Sequence, residues 1–148
     1  MQDSHLVIRP MKPEEYNSLI DVWRSAGLRW YREDGVDSEE SIRQQILSGN
    51  CTVFLADLDG RPVGAVITSY DGRYGWLWRL AVSDQFKRRG LASRLIQYAE
   101  ECLKKQGAKT FMAILHKDNE PSKRLFSLLG YSLETDLLLA VKRRARET

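Results

Sequence analysis

Lys87, Arg88 and Arg89 are followed at once by Gly90, and this run sits between an apolar, β-rich stretch, Trp76 to Val82, and an amphipathic pattern that continues to Lys105. Strand, short polar turn (Ser83 to Phe86), basic loop and helix follow one another without a break. That order makes an anion site. A helix N-terminus presents unpaired N–H groups and the positive end of the helix dipole, so a phosphate placed there gains hydrogen bonds and field together. Gly90 permits a close backbone approach, Ala92 keeps the first turn unobstructed, and the three cations add charge. No Gly-Lys-Ser/Thr follows and no G-x-G-x-x-G is present, so the loop is neither a P-loop nor a dinucleotide fingerprint.

Other reactive side chains are scattered. Arg29 to Gly35 holds two aromatics, two arginines and two acids in a stretch without helical period, and Arg79 stands between apolar neighbours, where a charge is either paired or directed into a cleft. Cys51 and Cys102 lie far apart with only His5 and His116 to accompany them, which argues against a metal site or a disulfide and for two small core hydrophobes.

The positioning elements can be read in order. Leu6 to Arg9, ended by Pro10, forms a first strand. Pro13 opens a helix in which Tyr16, Leu19, Ile20 and Trp23 share a face, stopping near Gly27. Asp37 with Glu40 resembles a capping box for a second helix, with Ile42 and Ile46 inward and Gly49-Asn50 as its stop. Cys51 to Asp57, Pro62 to Tyr70 and Tyr74 to Val82 read as three antiparallel strands joined at Asp59-Gly60 and Asp71-Gly72. In the last, a period of two puts Trp76, Trp78, Leu80 and Val82 on one face and Leu77, Arg79 and Ala81 on the other. The helix after Gly90 carries Leu91, Leu95, Tyr98, Ala99 and Cys102 inward and stops at Gly107; Lys109 to Leu115 is a buried strand after it. Strand, helix and strand predict a parallel crossover, so the sheet is mixed. Asn119 then caps a helix with Pro121 in its first turn and Gly130 at its end, and Leu133 to Val141 reads as a closing strand.

Two of these stretches resemble signatures of the GNAT superfamily of N-acetyltransferases, in family order. Lys87-Arg88-Arg89-Gly90-Leu91-Ala92 is similar to the acyl-CoA pyrophosphate motif Arg/Gln-x-x-Gly-x-Gly/Ala, with Lys87 where the family prefers Arg or Gln. Asn119, Ser122 to Phe126 and Leu129-Gly130-Tyr131 resemble the second signature, Asn-x-x-Ala-x-x-Leu-Tyr-x-x-x-Gly-Phe/Tyr, with Phe126 where the family often places a tyrosine as general acid. The resemblance runs from Leu6 to Lys142. It implies an α/β fold with a splayed, mostly antiparallel mixed sheet of six to seven strands flanked by four helices. It also implies one domain over 1–148 and a direct transfer of acetyl from acetyl-CoA to a primary amine, without a covalent enzyme intermediate.

The resemblance implies roles as well. Leu80, Ala81 and Val82 offer backbone groups to the pantetheine arm, and one such N–H can polarise the thioester carbonyl. Lys87, Arg88, Arg89, Gly90, Leu91, Ala92 and Ser93 hold the pyrophosphate; Asn119, Ser122, Lys123 and Phe126 border the arm. Trp30, Tyr31, Glu33 and Asp34 lie on the connection that borders the acceptor pocket, and Arg79 or Arg29 is placed to pair with an acceptor carboxylate. An ammonium has no lone pair, so a base or water must remove its proton; Glu33, Asp34 and Asp71 are the candidate bases. Tyr131 or His116 is the candidate replacement for the missing tyrosine acid. Metal is not required.

With 148 residues and a net charge of +3, the chain has the size of one ordinary domain and no demand for nucleic acid as partner. No run of about eighteen apolar residues is present, which excludes a transmembrane helix, and Met1 to His5 lacks the features of a signal peptide, so a cytoplasmic location is expected. The acceptor stays open between a small amine, amino-acid-like, and a protein N-terminus or lysine. Two readings of other classes stay open too. A non-catalytic acyl-CoA-binding regulatory module would keep the loop without the acid, and a nucleic-acid module would use Arg88, Arg89 and the Lys142 to Arg146 tail. A homodimer is compatible with the sequence, although no interface stripe marks it.

Overall fold

The computed structural model describes residues 5–28 and 31–144. By internal contact the chain forms two compact units, one ending at Ala113 and one beginning at Ile114. The first unit holds a mixed five-stranded sheet of order β1-β2-β3-β4-β5: β1 (Leu6–Pro10), β2 (Cys51–Leu58), β3 (Arg61–Tyr70), β4 (Gly75–Val82) and β5 (Phe111–Ala113). The first four strands are antiparallel, and β5 runs parallel to β4. α1 (Tyr16–Ala26) and α2 (Glu39–Leu47) precede β2, and α3 (Leu91–Gln106) makes the crossover from β4 to β5. The second unit holds α4 (Glu120–Leu128).

Local chemistry explains the turns. Asp59 and Gly60 both adopt positive φ (52° and 83°), the two left-handed positions of a tight hairpin with matching twist. Asp71 builds the next turn with its side chain, Oδ1 accepting the N–H groups of Arg73 and Tyr74 at 2.8 Å each. Gly27 and Gly107 close α1 and α3 in the left-handed conformation.

The core on one face of the sheet joins Leu19, Val22 and Trp23 of α1 and Ile42 of α2 to Val53, Leu55, Ala65, Ile67 and Ala81. α3 approaches the sheet where glycines leave room. A Cβ on Gly64 would stand 2.9 Å from Leu95 Cδ1, and one on Gly75 would stand 3.0 Å from Leu103 Cδ1 and 3.1 Å from Ala108 Cβ. The buried stripe of α3 is Leu91, Leu95, Ile96, Ala99 and Leu103; Tyr98 is exposed, and Cys102 is half-buried.

Several expectations need correction. The sheet has five strands, not six to seven. Leu133 to Val141 is not a strand, and Leu137, Leu138 and Leu139 are exposed. Three consecutive leucines signal burial but lack the alternation that fixes a face and a register. α2 is capped by Ser38, whose Oγ accepts the Ser41 N–H at 3.1 Å, rather than by Asp37. In β4 the alternation breaks at a bulge. Trp78 pairs with Ile67 and Ala81 with Ala65, leaving Arg79 and Leu80 opposite Val66 alone. Ala81 therefore joins the face of Trp76 and Trp78, and Val82 crosses to the other. Among the described residues no helix is long and apolar enough to cross a membrane.

Candidate functional site

β4 ends at Val82, and a short 3₁₀ turn, Asp84–Phe86, carries the chain into the basic loop. Arg88 and Gly90 both take positive φ (68° and 77°), so the backbone reverses twice just ahead of α3. The first bond to close onto the helix is Arg94 N–H to the Gly90 carbonyl, at 3.2 Å. Among the described residues the N–H groups of Leu91, Ala92 and Ser93 make no backbone hydrogen bond. A Cβ on Gly90 would meet nothing within 4 Å, so the space before these groups is open. Residue types and geometry thus fit a pyrophosphate: free donors, an open approach and cations alongside.

The three cations are not equivalent. Lys87 Nζ donates to the Ala26 carbonyl at 3.1 Å, at the C-terminal end of α1, and lies 3.4 Å from Asp84. Its charge complements the negative end of that helix and ties the loop to α1. Arg89 lies over the Phe86 ring, 5.2 Å from its centroid, with Arg61 at 5.5 Å from the same ring. Arg88 is exposed and forms no ion pair among the described residues.

The bulge shapes the strand that leads into this loop. Arg79 takes a φ of 55°, uncommon for a residue with a Cβ. Its Nε and Nη2 donate to Asp37 Oδ2 at 3.2 and 3.1 Å. The same oxygen accepts the Arg32 N–H at 2.7 Å, and the Asp37 carbonyl accepts the Tyr16 hydroxyl at 2.6 Å. Asp37 is buried, with its side chain 5% exposed. One residue thereby joins α1, the loop ahead of α2 and the bulge. Burial, with the nearby carboxylates, pushes the Tyr16 hydroxyl up to about 12, so it stays a donor. Along its other edge β4 is paired with β5 only from Gly75 to Leu77. Among the described residues that edge carries no ladder partner from Trp78 to Val82, so the β4 peptide groups directed to that side there pair with no strand.

The candidate acceptor residues divide. Trp30 and Arg29 lie outside the described residues. Tyr31 packs on Trp23 with ring centroids 5.0 Å apart. Glu33 is 3.3 Å from Arg24 on the surface, and Asp34 is exposed. Asp71 spends one oxygen on Arg73 and Tyr74, and these backbone bonds hold its carboxyl below the usual range. Arg79 is committed to Asp37.

In the second unit, Asn119 caps α4, its Oδ1 accepting the Ser122 N–H at 3.2 Å, and Lys123 Nζ donates to the Lys117 carbonyl at 3.0 Å and to Glu120 at 2.9 Å. Phe126 is buried and meets the Tyr131 ring edge-on at 4.8 Å. The Tyr131 N–H bonds the Phe126 carbonyl and the Gly130 N–H that of Ser127, a Schellman turn whose apolar contact is this ring pair.

Sequence reasoning missed two features. Asp37 was read as a cap because Asp37 and Ser38 are both cap-type residues, and spacing does not say which one turns inward. The bulge left no mark, since Arg79 in an apolar run fits a regular strand equally well.

A mixed sheet whose fourth strand pairs with β5 only as far as Leu77, followed by the open N-terminus of α3, fits a phosphorylated ligand laid along the strand. The acetyltransferase (GNAT) family model matches residues 16–131, and the chain belongs to that family. An acetyltransferase of Photorhabdus laumondii is 27% identical over 124 residues, covering 84% of this chain and 85% of its own. Among solved structures, the PaiA N-acetyltransferase of Thermoplasma acidophilum in complex with coenzyme A superposes with a TM-score of 0.78 at 20% identity, covering 88% of this chain and 91% of that one. The aminoglycoside N-acetyltransferase AAC(6')-Iy, also with coenzyme A, gives 0.77 at 21% identity, covering 97% and 98%.

Proposed function

We propose that this acetyltransferase uses acetyl-CoA and transfers its acetyl group directly to the primary amine of a small, amino-acid-like molecule. The observation that carries the cofactor assignment is the open end of α3, where Leu91, Ala92 and Ser93 present unpaired N–H groups behind a glycine with nothing before it. Relatives of the same fold are held in complex with coenzyme A. Arg88 and Arg89 add charge to the pyrophosphate, whereas Lys87 acts chiefly by tying the loop to Ala26. The unpaired edge of β4 binds the pantetheine amides as an added strand would. We keep Asn119, Ser122, Lys123 and Phe126 as cofactor contacts on the family signature.

When bound, acetyl-CoA supplies a thioester whose thiol, with a pKa of about 8.5, departs readily as thiolate. Strong acid assistance is therefore unnecessary, which accommodates Phe126, and Tyr131 is the candidate donor where assistance is used. The acceptor ammonium must lose a proton from a group with a pKa near 10. Asp71, held low by its backbone bonds, is the poorer acceptor of that proton; Glu33 or water serves. Tyr31, which packs on Trp23, is the candidate apolar contact for the acceptor.

Isothermal titration with acetyl-CoA tests this reading in the native chain, Gly90→Ala and Gly90→Glu. Both variants carry the same backbone strain, of order 1 kcal/mol, and neither meets a neighbouring atom at Cβ. Gly90→Glu adds a carboxylate where the phosphates sit. Native and Gly90→Ala chains are expected to bind, and Gly90→Glu to lose about a hundredfold or more in affinity, with a screen of amines and peptide N-termini to follow. Equal binding by Gly90→Ala and Gly90→Glu removes the phosphate assignment, and absence of binding by the folded native chain removes the reading.

A further inference from the structure

An open cleft of about 270 Å³ is lined by Ser18, Asp21 and Ser25 of α1, Arg61 and Pro62 of β3, and Ser83 after β4. The three α1 residues are spaced i, i+3 and i+7, so one polar stripe of the helix faces it. The cleft carries one anion, Asp21, and one cation, Arg61. Neither is ion-paired with the other or with any other described residue. Arg61 is instead held in place by stacking on Phe86.

Ser83 is the third observation. It is 5% exposed, its N–H donates to Val63 and its carbonyl accepts from Phe86, yet its hydroxyl has no hydrogen-bond partner among the described residues. This hydroxyl lines the cleft and is open to a ligand there. Water can fill the place, but two opposed charges without ion-pair partners beside serine hydroxyls match one ligand chemistry more fully.

We propose that this cleft is a second binding site, for a small zwitterion of amino-acid type. The carboxylate pairs with the Arg61 guanidinium, whose planar fork suits it, and the ammonium pairs with Asp21. Ser18, Ser25 and Ser83 complete the hydrogen bonds. The cleft, about 270 Å³, accommodates a molecule of amino-acid size. The cleft borders the loop assigned above, since Arg61 and Arg89 share the Phe86 ring, but none of its lining residues is given a role in acetyl-CoA binding, and titration without acetyl-CoA reads it separately.

The test is isothermal titration of the full-length protein, without acetyl-CoA, with each of the twenty standard amino acids. The best binder is then compared with acetate alone and methylamine alone, and titrated into Asp21→Asn and Arg61→Gln. Both substituted positions are exposed, and thermal melts confirm that the variants fold. Saturable binding is expected for at least one amino acid, weaker by about tenfold or more in each variant and for each half-ligand. The proposal is overturned if no amino acid binds saturably in the millimolar range. Undiminished binding in both variants also overturns it, because the ligand then sits elsewhere. Acetate or methylamine binding as tightly as the amino acid removes the zwitterion.

Discussion

Asp37 holds the Arg79 guanidinium and the Arg32 N–H on one oxygen, and its removal leaves a half-buried cation and a peptide donor without their partner. Asp37→Ala is therefore expected to cost about 2 kcal/mol. A melt should read this as a fall in Tm of about 4–8 °C. An unchanged Tm would show that water replaces the carboxylate fully. Glu15 gives a prediction of a different kind. Its carboxylate takes two hydrogen bonds from the Arg9 guanidinium, at 2.9 and 2.8 Å, and one from the Lys12 N–H, and these hold its pKa at about 2 against a usual 4.5. As the pH falls past 4.5 the unfolded chain takes up this proton while the folded chain resists. The stabilisation is whole above that point and is lost by about 2. Urea midpoints of the native chain and Glu15→Gln should differ at neutral pH and converge across that window.

At the scale of elements, α3 packs as closely as the sheet glycines permit. Gly75→Val would drive branched methyls against Leu103 and Ala108, and the expected loss is about 1–3 kcal/mol, measured as a lower denaturation midpoint with unchanged slope. The same scale shows what a sequence can and cannot declare. Asp59-Gly60 announced its hairpin because only residues tolerant of positive φ make that turn, and Gly107 announced the end of α3 for the same reason. The anion loop was legible because its chemistry is local: cations, a glycine and a helix start. The bulge was not, since two residues opposite Val66 differ from one only in pairing, and pairing is decided by the partner strand. Nor was the Asp37–Arg79 contact, which joins residues 42 positions apart. Leu133 to Val141 failed in the opposite sense, because its apolar content promised a strand that no described ladder accepts.

At the scale of the whole molecule, family membership rests on signatures from both compact units, and the two kinds of specificity separate along the chain. On the proposed reading, cofactor contacts gather between Leu80 and Ser93, mostly in backbone groups, which any side chain compatible with the fold can supply. On the same reading, acceptor contacts fall to side chains, Tyr31 and Glu33 ahead of α2 and Asp71 at its turn. The exposed leucines of the second unit add a property of another order. Leu138 is 95% exposed, between Leu137 at 71% and Leu139 at 67%. Three adjacent, accessible leucines outside any helix or strand are expected to favour self-association when the protein is concentrated. Colloidal behaviour is thus set apart from folding: Leu138→Lys removes no packing and should leave Tm within a degree or two, while light scattering on concentration or heating should begin later than in the native chain.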